Sequence, residues 1–274
     1  MPELPEVETI VNQLRSRLLG RRIVSTWIGW ERIVDRPPAE EFCQRLNQQI
    51  FADARRRGKF LLFPFHSGDV LLVHLRMTGN LLLQPSSVEP DRHTHAVLTL
   101  DDGQRLHYRD VRKFGRLYLV DDPEELVGRL GPEPLAADFD AEALAARLAD
   151  RRARVKSLLL DQRVLAGLGN IYADEALFRA GIHPLRLGES LSAGEIAHLH
   201  TAIGGVLKEA ITAGGTTLRD YRSATGQRGE FQEQLQVVRR HGEPCPRCGT
   251  PLERIRVGGR STHFCPRCQP AGGA

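Results

Sequence analysis

Three short apolar runs separated by turn residues fill positions 59–84, KFLLFPFHSGDVLLVHLRMTGNLLLQ. Each run is five to seven residues long and rich in Leu, Val and Phe, and Ser67-Gly68-Asp69 punctuates the first gap. Runs this short, this closely spaced and bounded by turn signals read as antiparallel strands, because a parallel pair needs a long crossover between its members. The same pattern continues outward at 95–101, 104–109 and 116–120, with Asp101-Asp102-Gly103 as a further turn, and backward at 23–30. The spacing predicts an antiparallel β-sandwich. A helix is expected in front of it. Pro5 suits a first helical turn, Val7, Ile10, Val11, Leu14 and Leu18 recur at helical spacing, and Gly20 ends the run.

Beyond residue 120 the character changes. The stretch DDPEELVGRLGPEPLAADFD, 121–140, is acidic and broken by Pro and Gly, and reads as a linker. Helical patterns follow at 140–150, 156–161, about 171–180 and 193–212. Asn170 is placed to cap the third, Gly181 and Pro184 end it, and Gly214-Gly215 ends the fourth. Residues 222–230, RSATGQRGE, have the composition of a mobile loop. The chain of 274 residues is therefore an α+β protein of two domains and a small appendage, expected at 1–132, 136–235 and 236–270.

The net charge is only +4, yet it is unevenly distributed. Residues 121–150 hold nine acids against two arginines, whereas 239–274 hold seven arginines against two glutamates. Residues 104–116 carry five cations and one acid. Basic patches on a near-neutral chain fit either solvated surface or a directed anionic partner such as nucleic acid. No apolar run approaches the ~20 residues of a membrane span. The start MPELPEVETI has no basic segment followed by an apolar core, so a cytoplasmic, nucleoid-associated protein is expected.

Four of the five cysteines form two Cys-x-x-Cys pairs, Cys245/Cys248 and Cys265/Cys268. In a reducing compartment this spacing reads as a four-thiolate site for one structural Zn2+ rather than two disulfides. Between the pairs, 252–257 and 261–264 read as strands joined at Gly258-Gly259, which puts Arg260 at the tip of a metal-braced hairpin, suited to a phosphate contact. Cys43 reads as a small buried hydrophobe. At the other end, loss of Met1 would leave Pro2 with a free amine. An α-amine titrates near ~7.7–8.0, so it is a better nucleophile at neutral pH than an ordinary lysine near ~10.4. Glu3 stands beside it as a proton donor or acceptor.

The chain resembles the formamidopyrimidine-DNA glycosylases, a family that also includes the endonuclease VIII type. The resemblance is carried by Pro2-Glu3-Leu4-Pro5-Glu6-Val7-Glu8-Thr9, Arg56-Arg57-Gly58-Lys59, His74-Leu75-Arg76-Met77-Thr78-Gly79, Asp110-Val111-Arg112-Lys113-Phe114-Gly115, Gly167-Leu168-Gly169-Asn170-Ile171-Tyr172-Ala173-Asp174-Glu175 and the terminal cysteines. It spans essentially the whole chain in order, and implies a helix-flanked sandwich, a helix–two-turn–helix unit and a zinc finger. It implies Pro2 as nucleophile at the sugar C1′, Glu3 as acid, and Lys59 and Arg260 as phosphate-contacting assistants of strand cleavage. His93, Arg112, Arg151 and Asn170 fall at DNA-contacting positions. Met77 and Phe114, which by themselves read more readily as core residues, become under the resemblance wedges for the hole left by an extruded base.

The implied activity is excision of oxidised purines, 8-oxoguanine and formamidopyrimidines, followed by β,δ-elimination, by a monomer acting on double-stranded DNA with oxidised bases or abasic sites. Two other readings fit the residues: an endonuclease VIII-type enzyme for oxidised pyrimidines, and a non-catalytic DNA-binding zinc protein. Lys113, Gly259 and Tyr221 depart from the family's common residues at their positions and bear on lesion preference rather than on reaction type.

Overall fold

The computed structural model describes residues 1–149 and 151–271. Helix α1, Leu4–Leu18, opens the chain. It forms as the apolar spacing predicts: Val7, Ile10, Val11, Leu14 and Leu18 are all at most 1% exposed, while the basic Arg15 and Arg17 complement its C-terminal end. Full burial of each such side chain contributes about 1.5–3 kcal/mol, so Leu14→Asp would undo the packing of this helix.

After α1 come β1 (Ile23–Ile28), β2 (Val34–Arg36), α2 (Ala39–Leu46), β3 (Arg55–Arg57), β4 (Phe60–Pro64), β5 (Val70–His74), β6 (Gly79–Pro85), β7 (Thr94–Leu100), β8 (Gln104–Asp110) and β9 (Arg116–Val120). They make a four-stranded sheet in the order β1-β7-β8-β6 and a five-stranded sheet in the order β2-β9-β5-β4-β3. Every pairing is antiparallel except β2 with β9, which is parallel. Inward residues of both sheets, among them Phe63, Leu71 and Val73 facing Leu81, Leu98, Leu106 and Tyr108, share one apolar core with α1.

The acidic stretch after β9 is not a bare linker. It contains α3 (Glu124–Val127), and Val127 and Phe139 are buried. Then follow α4 (Ala141–Leu148), α5 (Val155–Leu160), α6 (Asn170–Ala180), α7 (Ala193–Thr212), β10 (Glu253–Val257) and β11 (Arg260–Phe264). Residue 150, at the end of the helix expected over 140–150, lies outside the described residues. Asn170 does not cap α6: Gly169 holds the capping position and Asn170 is the first helical residue. Gly181 ends α6 in the left-handed conformation, at φ 72°, as its sequence position suggests. Cys43 is half-buried rather than enclosed.

The chain divides into two compact units. One is Met1–Gly128 with Ile211–Gln232; the other is Arg129–Ala210 with Glu233–Ala274. Residues 211–232, expected with the helices at 136–235, thus group with the sandwich. The segment expected to be a mobile loop is tied there by hydrogen bonds to backbone and side-chain acceptors. The Leu83 N–H donates to Ala224 O at 2.9 Å, the Arg222 N–H to Asn80 Oδ1 at 2.8 Å, and the Gly229 N–H to Thr217 Oγ1 at 2.9 Å.

Candidate functional site

In the first unit, the N-terminus is held rather than frayed. Pro2 is buried and Glu3, the residue before α1, is 2% exposed. The Glu3 N–H donates to Glu6 Oε2 at 2.7 Å, and the Thr216 N–H donates to Glu6 Oε1 at 2.7 Å. Both oxygens of one buried carboxylate are therefore engaged, one by the helix start and one by the chain following α7. Gly215 permits this approach: at φ +87°, a Cβ there would lie 3.0 Å from the Glu6 side chain. The Tyr221 hydroxyl donates to Gly214 O at 3.1 Å, and burial, with the Glu6 charge nearby, pushes its pKa far up.

Lys59 sits in the two-residue turn between β3 and β4, where Gly58 takes φ 57°. Arg56 fastens this turn to α1, donating from Nε to Glu8 Oε2 at 2.7 Å and from a terminal nitrogen to Gly58 O at 3.0 Å. The first helix thus carries the Pro2 end and steadies the Lys59 turn. His74, whose ring meets Phe60 edge-on at 4.7 Å, accepts the Arg76 N–H at Nδ1. Burial, then the positive charges of Arg76 and Lys59, pushes its pKa down to about 3, so the ring is neutral at physiological pH.

Met77 and Phe114 are not core residues. They are 42% and 46% exposed, on the loops that follow β5 and β8. Arg112 joins them: a guanidinium nitrogen lies 3.2 Å from Met77 Sδ, and its central carbon 4.6 Å from the Phe114 ring centroid. Two apolar tips with a cation between them form an exposed blade. His93 is half-buried, its N–H given to Asp91 Oδ1 and its Nε2 facing Arg92 Nε at 3.1 Å. The same unit holds an open polar cavity of about 320 Å³ lined by Asn80, Arg109, Arg219, Asp220 and Arg222, among others.

In the second unit, β10 and β11 form a hairpin with Gly258 and Gly259 both at positive φ, the turn the Gly-Gly pair predicts, and Arg260 is exposed as the first residue of β11. The hairpin is seated on the helices by polar groups. Asn170 Nδ2 donates to Ser261 O at 3.0 Å. Lys156, fully buried on α5, donates to Ser261 O at 3.1 Å and to Thr262 Oγ1 at 2.7 Å, and pairs with Asp174 at 2.6 Å. Asp174 in turn accepts the His263 N–H at 2.9 Å, and Glu175 accepts the N–H groups of Gln236, Val237 and Val238. Arg151 is exposed.

The four cysteine sulfurs all lie within 4.8 Å of one another. Cys245 and Cys268 are 3.9 Å apart at sulfur, Cys248 and Cys265 3.5 Å. Four thiolates at ~2.3 Å from a tetrahedral zinc stand about 3.8 Å apart, whereas a disulfide brings its sulfurs to ~2.05 Å. The cluster is thus a structural zinc site, with no ligand position left over for chemistry. Arg247, between the first two cysteines, donates to the carbonyls of Phe178 and Arg179 at the end of α6 and fixes the module there.

Each sequence-expected residue falls in one unit or the other: Pro2, Glu3, Lys59, Met77, His93, Arg112 and Phe114 in the first, Arg151, Asn170, Arg260 and the four cysteines in the second. Sequence reasoning missed Glu6, Thr216, Lys156 and Asp174. Nothing in the sequence flags a partner some 200 residues away, and buried charges look like solvated ones in a linear string.

Known proteins share this arrangement throughout its length. The formamidopyrimidine-DNA glycosylase N-terminal domain matches residues 1–117, the H2TH domain of the same enzymes 130–222, and the zinc finger found in FPG and IleRS 242–271. The formamidopyrimidine-DNA glycosylase of Herpetosiphon aurantiacus is 51% identical over 272 residues, covering 98% of this chain and all of the relative; that of Desulfitobacterium hafniense is 50% identical over 273 residues with the same coverage. Among solved structures, a Lactococcus lactis FPG mutant in complex with Fapy-dG containing DNA superposes with a TM-score of 0.92 at 38% identity, covering 98% of this chain and 100% of that one. The Lactococcus lactis Fpg complex with abasic-site DNA gives 0.91 at 37%, covering 98% and 99%. With three consecutive domains matched and half of all residues identical from end to end, the chain belongs to the formamidopyrimidine-DNA glycosylase family.

Proposed function

We propose that this chain is a bifunctional DNA glycosylase and abasic-site lyase that removes oxidised purines, 8-oxoguanine and formamidopyrimidines, from duplex DNA in the bacterial cytoplasm. The observation that carries the reading is a buried Pro2-Glu3 pair anchored at the start of α1, in a chain matched over 98% of its length by glycosylase relatives.

Removal of Met1 frees the Pro2 nitrogen, which the positive end of α1 helps to keep neutral. The nitrogen lone pair attacks C1′ of the damaged nucleotide. The glycosidic C–N bond breaks and the base departs with its electron pair, taking up the proton that the Pro2 nitrogen gives up, while Glu3 protonates the opening sugar ring oxygen. Pro2 and C1′ are then joined as an iminium. That cation acidifies the C2′ hydrogen, so loss of the proton expels the 3′ phosphate, and a second elimination expels the 5′ phosphate. Lys59 and Arg260 bind the flanking phosphates, Asn170 the same stretch of backbone, and His93 and Arg151 neighbouring phosphates. Met77 and Phe114 fill the hole left by the extruded nucleotide and Arg112 hydrogen-bonds the orphaned partner base.

The test is covalent capture. Borohydride reduces the iminium to a stable amine, giving a protein–DNA adduct that should map to residue 2 in protein whose intact mass lacks Met1. An adduct on Lys59, or full activity with an acetylated terminus, would overturn Pro2 as nucleophile. Incision of oxidised pyrimidines in preference to 8-oxoguanine would favour the endonuclease VIII-type reading instead.

A further inference from the structure

The blade of Met77, Arg112 and Phe114 stands on two loops, and both loops are strained. Arg76, beside Met77, has φ 52°, and Lys113, between Arg112 and Phe114, has φ 58°. A non-glycine residue in the left-handed region is strained, and persists only where its surroundings over-determine it. What fixes these loops is Asp110, the last residue of β8, which is 0% exposed. Its Oδ1 accepts the hydroxyl of Thr78 and, at 3.1 Å, the Arg112 N–H. Its Oδ2 accepts the Phe114 N–H at 2.9 Å and the Gly115 N–H at 2.8 Å. The backbone of Asp110 is held as well, its N–H by His93 O and its carbonyl by His95 Nε2.

One carboxylate therefore binds both loops, through the residue next to Met77 and through the backbones of Arg112 and Phe114 themselves. All four donors to the side chain are neutral, so it stabilises a loop conformation rather than a charge partner. We propose that Asp110 is a positioning residue for base extrusion: it presets the three blade side chains in their inserting arrangement, so that DNA meets a rigid wedge and does not have to order one. The inference rests on the blade reading above and adds the group that makes the blade rigid.

Asp110→Asn tests it with almost no change of shape. If the new NH2 faces Phe114 and Gly115, two backbone N–H groups lose their acceptor. If it faces the other way, the Thr78 hydroxyl can turn to accept, and the Arg112 N–H loses the carboxylate and keeps only its 3.2 Å bond to Thr78 Oγ1. The loss of one backbone N–H bond to the carboxylate corresponds to a roughly tenfold loss of the preset loop. Excision of 8-oxoguanine from duplex should fall roughly tenfold, with the rise of 2-aminopurine fluorescence beside the lesion slowed to match. Nicking and borohydride trapping on a single-stranded abasic oligonucleotide, which has no stack to enter, should stay within about twofold of the parent. Thr78→Val, which removes one donor to Asp110 and the second acceptor of the Arg112 N–H but leaves the carboxylate's bonds to Phe114 and Gly115, should reduce duplex excision in the same direction, and Thr78→Ser should restore it.

Equal losses on duplex and single strand, or unchanged duplex excision by Asp110→Asn, would overturn the proposal. Phe114→Ala run beside it separates the two layers: if it loses duplex excision while Asp110→Asn does not, the preset is wrong and the blade stands; if neither does, the blade reading itself fails.

Discussion

Replacing the buried Lys156 by methionine should strongly destabilise the second unit. Lys156 and Asp174 are 0% and 1% exposed and 2.6 Å apart. Removing one partner of a buried pair typically costs about 3–5 kcal/mol, because the remaining charge keeps its desolvation penalty without its counter-charge. The unit comprises Arg129–Ala210 and Glu233–Ala274, and at ~2.1 cal/mol/K per residue its unfolding entropy is about 0.26 kcal/mol per kelvin. The melting transition should therefore fall by roughly 12–19 °C. Asp174→Leu added to Lys156→Met should recover part of this, but not all, because the His263 N–H would still lack its acceptor. Scanning calorimetry of the zinc-loaded parent, single and double variants measures all three. A single-variant shift below about 3 °C would refute the reasoning, since it would mean that Asp174 carries no desolvation penalty once its counter-charge is gone. Lys156 also supports Ser261 and Thr262 beside Arg260, so a folded Lys156→Met protein should cut strands poorly while still trapping on borohydride.

Cys265→Ser should release zinc, unfold the hairpin and abolish DNA binding while the melting transition of the sandwich persists; stoichiometric metal in active variant protein would contradict this. His74 is neutral in the fold with its pKa near 3, and an unfolded histidine titrates near ~6.5, so its contribution is complete above pH ~6.5 and is lost as pH falls through about 3. Denaturant titrations should show on the order of 2–3 kcal/mol less stability at pH 4 than at pH 7 from this group, and His74→Gln should flatten that slope. Arg112→Ala should weaken discrimination of the partner base by about 1–3 kcal/mol, read as the ratio of excision opposite cytosine and opposite adenine; equal losses opposite both would remove its reading role.

What the sequence discloses and what it hides divide along physical lines. β1 and β4–β9 are visible because each run is long enough to show its apolar and β-branched character between turns. β2 and β3 have three residues each, too few for any period, and α2 shows only Phe42 and Leu46 buried, one pair at helical spacing. The zinc site and the Gly-Gly turn are legible because their chemistry is local. Acid and proline mask the burial of Val127 and Phe139, which depends on what packs over them. The Pro2, Lys59 and blade motifs are each short and ambiguous, and only their joint order identified them. The groups that hold them, Glu6, Asp110, Lys156 and Asp174, are charges whose burial no linear pattern announces.

The carboxylate of Glu6, which ties residue 3 to residue 216, also sets an order of assembly. The first unit is discontinuous: its last part, Ile211–Gln232, is made after nearly all of α4–α7. At a synthesis rate of ~5–20 residues per second, tens of seconds separate the appearance of Glu6 from that of Thr216. Met1 can be trimmed early, so the amine exists on the growing chain long before the bond that completes its anchorage. A prematurely terminated product ending before residue 211 would carry that amine on a helix start lacking its second tether. Coupling the seat of residue 3 to residue 216 delays the completed anchorage until most of the chain has been made.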